Sequence, residues 1–302
     1  MLKLPVIRDL PYFSPTSFLE SEECEYGFYL TRMSEYVFPR LQQTEAMAIG
    51  CAFDSFAKAE LAYYLGKTTE KKNLLATLLQ SVEDHNKHII PLGNQLFEKY
   101  YEYGCFDNLI QEGMEDIELV IHKNIAGVEG TLGEVKLFGK PDATLVGRIP
   151  LDWKVSGFGS AAGQSPKQGY FRCLSAPGID KGVHPKYGLP LETIDIRWAT
   201  QLVFYNWMLG NDTLDMSGRI EQCAIRPTAT VFASYRAKIS PEFITITRSK
   251  LTDRWNRFRN GEFTDPIPTR PTCEPYNHPK ICTAICGKYQ QFFSNKALMG
   301  LG

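Results

Sequence analysis

Residues 139–157 read GKPDATLVGRIPLDWKVSG, and this stretch decides the fold class. Two short β-rich runs, 143–146 and 149–155, flank Gly147-Arg148, which is the signature of two strands joined by a turn. The second run carries Asp152 and Lys154 in the pattern D-x-K. Side chains alternate along a strand, so these two point to the same face. Asp142 precedes the first run. Two carboxylates near one point make an oxygen-rich site suited to Mg²⁺ or Mn²⁺. A neighbouring lysine would then stabilise charge developing on a phosphate or position an attacking water.

Geometry sets a condition on this site. With a two-residue turn at Gly147-Arg148, Asp142 would pair opposite Trp153 and face away from Asp152. A shared site requires an odd connection, a bulge, or Asp142 bending inward from the loop after Pro141. Taken alone, D-x-K also fits an exposed strand face carrying an ion pair. The apolar flanks argue against that.

Working outward, residues 14–33 read as a capped helix with Pro15 in its first turn. Residues 44–65 carry apolar side chains at helical spacing, and 71–103 read as a longer amphipathic helix. Strand patterns cover 117–128 and 134–137. Residues 157–193 are rich in Gly, Ser, Pro and Lys and have no period, which marks an insertion loop. Then follow a helix over 196–209, strands over 223–235 and 243–247, and a helix over 250–259. The order indicates an α/β protein rather than separate modules.

Composition narrows the class. The chain has 302 residues, 43% hydrophobic and 22% charged, with a formal net charge of −1, which excludes collagenous, disordered and histone-like proteins. Its 8 cysteines are too dilute for a disulfide-stapled secreted fold. The opening residues lack a continuous apolar h-region, and no stretch reaches the length of a membrane span. The expectation is a soluble, cytoplasmic protein with no membrane partner.

These residues resemble the PD-(D/E)XK nucleases, specifically the RecB-like branch. Pro141-Asp142 followed by Asp152-Trp153-Lys154 looks like the central motif. The opening FSPTSFLESEECEYGFYLTR is similar to the start of many members, Gly50-Cys51-Ala52-Phe53-Asp54 to the G-x-x-F-H helix motif, and Gln201 to Tyr205 to the Q-x-x-x-Y motif. The family's helix histidine is Asp54 here, which is compatible with metal binding but leaves metal preference open. The resemblance implies a single domain over 1–302. Its parts are a helical region at 1–115, a restriction-endonuclease-like core at 116–260 with a central mixed β-sheet flanked by helices, and a Cys-rich tail at 261–302.

It further implies a Mg²⁺- or Mn²⁺-dependent deoxyribonuclease, an exonuclease of DNA recombination, repair or processing that acts on ends or single strands. Asp142, Asp152 and the Trp153 carbonyl would hold the metal, with Asp54 assisting. Lys154 would act on the water or phosphate, and Gln201 with Tyr205 would orient the site. On a helix these last two lie four apart and share a face, which also describes the polar rim of an amphipathic helix. Two alternatives stay open: a structure-specific endonuclease, and an inactive nuclease-like DNA-binding subunit. No G-x-x-x-x-G-K-[ST] loop is present, so any unwinding requires a helicase or recombination partner.

In the cluster-bearing members one N-terminal and three C-terminal cysteines hold a [4Fe–4S] centre. Cys24, Cys273, Cys282 and Cys286 have that partition, although the tail spacing C-x8-C-x3-C departs from the family's. Zinc with His278, or no metal, are the alternatives. Cys51, Cys105, Cys173 and Cys223 lack ligand spacing and read as buried or incidental. For DNA contact, the insertion offers Lys167, Arg172, Lys181 and Lys186 with Tyr170 and Phe171, and the last helix offers Arg254, Arg257 and Arg259.

Overall fold

The computed structural model describes residues 2–35, 42–113, 128–145, 147–156, 171–173, 196–225 and 230–264. The helices are α1 (Pro15–Glu23), α2 (Glu25–Arg32), α3 (Glu45–Tyr64), α4 (Lys71–Leu78), α5 (Ile90–Glu102), α6 (Cys105–Gly113), α7 (Ile196–Met208) and α8 (Pro241–Arg259). The strands are β1 (Leu2–Lys3), β2 (Val128–Leu132), β3 (Val135–Gly139), β4 (Ala143–Leu145), β5 (Ile149–Ser156), β6 (Phe171–Cys173), β7 (Met216–Ile225), β8 (Thr230–Ile239) and β9 (Glu262–Phe263). The architecture is mixed α/β with a helical N-terminal region, as the sequence pattern requires. Among the described residues no helix is long and apolar enough to cross a membrane. Most of the insertion 157–193, the tail with Cys273, Cys282 and Cys286, and most of the strand expected over 117–128 lie outside the described residues.

The described residues divide into two compact units. The larger takes in Leu41–Gly130 and Phe138–Ile244 and contains a five-stranded sheet in the order β4-β5-β7-β8-β6. The β5–β7 pair is parallel and the other three pairs are antiparallel. The β5–β7 register sets Leu151 beside Arg219, Trp153 beside Glu221 and Val155 beside Cys223. Leu151, Trp153, Cys223 and Phe232 pack on that face against Ile49, Phe53 and Ala57 of α3 and Leu96, Phe97 and Tyr100 of α5. Each fully buried aromatic here contributes roughly 2–3 kcal/mol of apolar burial. Because side chains alternate, Asp152 and Lys154 belong to the opposite face, the one α7 covers. Gly218 on β7 allows that cover: a Cβ there would come within 2.3 Å of Leu202 Cδ1.

The smaller unit takes in Met1–Arg40, Thr131–Leu137 and Thr245–Gly302. Its core is aromatic, with Phe13 stacked on Phe28 at 5.6 Å and Phe258 on Phe263 at 4.6 Å. Arg254 Nη1 meets Glu22 Oε1 at 2.7 Å, and Arg257 Nη2 meets Glu25 Oε1 at 2.7 Å. Glu25 also accepts the Thr264 N–H at 2.8 Å.

Four local expectations change. The helix over 14–33 is two helices, because Cys24 is extended (φ −159°, ψ 108°) and its Sγ caps α2 by accepting the Gly27 N–H at 3.3 Å. The helix over 71–103 breaks into α4, two 3₁₀ turns and α5, with Val82 extended and Pro91 opening α5. The strand over 223–235 is parts of two paired strands, β7 and β8. Residues 243–247 are helical, inside α8. Their β-branched side chains favour a strand locally, but Ile244, Thr247, Leu251, Trp255 and Phe258 form a buried stripe at helical spacing. Tertiary burial outweighs a propensity worth a few tenths of a kcal/mol per residue.

Candidate functional site

Leu145 pairs with Ile149 and Ala143 with Leu151, so three residues, 146–148, join β4 to β5. Gly147 (φ 76°) and Arg148 (φ 60°) both take left-handed conformations in this connection. The connection is the odd one that the site requires. Continued by one residue, the register sets Asp142 level with Asp152 rather than Trp153. Asp142 also bends inward: its N–H donates to Leu151 O at 3.1 Å, and its Oδ2 accepts the Trp153 N–H at 2.7 Å. The carboxylate thereby takes an amide of β5 beyond the end of β4.

Three further elements converge. Asp54 lies on α3, where Thr44 caps the helix by accepting the Met47 N–H. One turn later, Lys58 Nζ lies 2.8 Å from Asp54 Oδ2 and 3.0 Å from Asp142 Oδ1. On β5, Lys154 pairs with Asp152 Oδ2 and donates to Gln201 Oε1 on α7. Tyr205, one turn along α7, is buried, and its ring lies where a Cβ on Gly139 would come within 3.0 Å of Cε1. Trp153 directs its ring into the core, 6.1 Å from Phe53 and edge-on. The structure thus brings together Asp54, Asp142, Asp152, Lys154, Gln201 and Tyr205, with the Trp153 backbone among them.

The electrostatics follow from burial and crowding of like charge. Burial pushes the Asp54 carboxyl up to about 7; Lys58 opposes the rise and Asp142 adds to it. Burial likewise pushes Asp152 up to about 6, against Lys154 and with Asp142. The Tyr205 phenol is driven well above its usual range by burial, then by Asp152, Asp142 and Asp54, so it is a neutral hydroxyl at physiological pH. Three carboxylates face two ammonium groups. A further cation would favour their ionised forms.

Hard oxygen donors of this kind suit Mg²⁺ or Mn²⁺, and Asp54 Oδ1 is buried with no hydrogen-bond partner. Among the described residues no group of three or more His, Cys, Asp or Glu side chains is already arranged to hold a metal ion. The ammonium of Lys58 instead lies between two of the acids. Chemically the residues fit a divalent cation; the lysines stand where the acids would otherwise repel.

Lys58 is the member the sequence reading missed. Its signal was present as an i,i+4 acid–lysine pair on α3, a pattern common on solvated helix faces. Other expectations fare differently. Cys105 and Cys223 are buried in the core. Cys51 accepts a hydrogen bond from Gln43 Nε2 at 3.3 Å. Arg254 and Arg257, offered by the sequence for nucleic-acid contact, pair with Glu22, Glu25 and Asp253 within their own unit. Arg259 lies over the Trp255 ring at 5.4 Å. Of the three acids, Glu25 is buried, Glu22 half-buried and Asp253 exposed.

No family model matches the chain, and no curated protein matches it. Among solved structures it is similar to a candidate exonuclease from Eubacterium rectale, at 12% identity and a TM-score of 0.47, over 91% of this chain and 93% of that one. It is similar also to the protein SSO0001, at 14% identity and a TM-score of 0.24, over 81% of this chain and 86% of that one. Likeness at this level leaves the chemistry to be argued from the residues.

Proposed function

We propose that the chain is a metal-dependent nuclease that hydrolyses phosphodiester bonds of DNA, working as an exonuclease on ends or single strands. One observation carries this reading: the odd β4–β5 register sets Asp142 beside Asp152-x-Lys154, with Gln201 on the lysine. Asp142, Asp152 and the Trp153 carbonyl would hold Mg²⁺ or Mn²⁺, with Asp54 assisting. When bound, such an ion supplies Lewis-acid polarisation of the phosphate and a nucleophilic water at neutral pH.

The chain's own groups do the rest. Lys154 has three N–H donors; Asp152 and Gln201 take two directions, which leaves one for a phosphate oxygen. Gln201, fixed on α7, holds that ammonium in place. Tyr205 supplies a neutral hydroxyl beside the acids. Lysines and aromatic rings of the insertion would contact the strand. The same reading gives Cys24, Cys273, Cys282 and Cys286 a [4Fe–4S] cluster, testable as a brown chromophore in protein purified without oxygen.

The test is degradation of end-labelled single- and double-stranded DNA with Mg²⁺ or Mn²⁺ by the wild type, Lys154→Ala and Asp142→Ala. Activity should fall at least ~100-fold in both variants. Equal activity in all three sinks the assignment, and cutting of closed circular DNA would make the enzyme an endonuclease.

A further inference from the structure

Lys58 is built into the acidic site. Its side chain is 13% exposed, and its ammonium touches acids from two elements, Asp54 Oδ2 at 2.8 Å on its own helix and Asp142 Oδ1 at 3.0 Å, 84 residues along the chain. A simple helix ion pair needs only the first contact. The second brings two carboxylates to one ammonium, and without it they would repel across a poorly solvated gap. Lys154 does not substitute, being engaged with Asp152 and Gln201.

We propose that Lys58 is the resident counter-cation of this site: in the metal-free protein its ammonium joins Asp54 to Asp142, and a divalent cation must displace it to bind. This rests on the metal-site reading above. Lys58 is therefore a positioning residue. It keeps the two acids together before metal arrives, and it weakens metal affinity by competing for the same oxygens. A lysine that served phosphate would turn its donors outward, whereas both contacts here are carboxylates.

The experiment is isothermal titration of the full chain with Mn²⁺, for the wild type, Lys58→Met and Lys58→Gln. Mn²⁺ should bind the two variants at least ~tenfold more tightly than the wild type, about 1.4 kcal/mol. At saturating Mn²⁺ the variants should gain more thermal stability than the wild type does, in step with their tighter binding, which a purely structural lysine would not produce. Unchanged or weaker binding by the variants, with clear binding by the wild type, overturns the counter-cation role and leaves the metal site standing. No binding to any of the three overturns the metal site and this role with it. Should the variants fold only with Mn²⁺ present, the role is supported; should they fail to fold even then, it is overturned.

Discussion

Asp142 does two jobs, and substitutions separate them. Its Oδ2 accepts the Trp153 N–H at 2.7 Å and its Oδ1 accepts Lys58 Nζ at 3.0 Å, with the side chain 17% exposed. Hydrogen bonds to a charged group contribute about 1.5–3 kcal/mol each, and a buried amide left without an acceptor costs a similar amount. Asp142→Ala removes both bonds and orphans the Trp153 N–H. Relief of repulsion on Asp54 and Asp152 returns roughly 1–2 kcal/mol, taking about 1 kcal/mol per pair at water-like screening. The net loss is about 1–5 kcal/mol. Asp142→Asn keeps an oxygen for Trp153 but turns its NH₂ toward the Lys58 ammonium and loses that bond; with the Trp153 amide still satisfied it should cost less than Ala, about 1–2 kcal/mol. Urea unfolding in chelator, followed by tryptophan fluorescence, measures both, while the proposed nuclease activity should vanish in each. Equal stability of the Ala and Asn variants would refute the claim that this carboxylate caps β5.

Two other outcomes are expected. Gly218→Ala should destabilise the protein by roughly 1–3 kcal/mol through overpacking against Leu202, and adding Leu202→Ala should recover part of the loss; an unaffected denaturation midpoint would mean α7 is not seated on β7. Burial pushes the Glu25 carboxyl up, but Arg257 and the Thr264 amide outweigh it and hold it below its ordinary value of 4.5. A depressed acid contributes stability above that value and loses it as pH falls through the folded one. The stability gap between wild type and Glu25→Gln should thus be widest near neutrality and close on acidification; a gap that widens in acid would contradict the pairing.

Short-range rules of the chain were enough for part of this protein. The two-residue period of a strand puts Asp152 and Lys154 on one face, and the four-residue period of a helix does so for Gln201 and Tyr205. Thr44 marks the start of α3 and Pro15 that of α1, because orphaned amides at a helix start demand a side-chain acceptor or no donor at all. These depend on neighbours a few positions away. The breaks at Cys24 and Val82 and the helical state of residues 243–247 were not legible, because local propensity there is weaker than the burial each segment gains in the fold.

The site divides in the same way. Which residues are acids and which lysine stands two beyond Asp152 are properties of the string. Whether Asp142 faces Asp152 hangs on one residue in the β4–β5 connection, and a slip of one sends it to the other face of the sheet. That Lys58 leaves its solvated helix pattern to join Asp54 with Asp142 was likewise decided only when α3 and β5 packed together. Packing brings like charges close enough that one cation must stand between them.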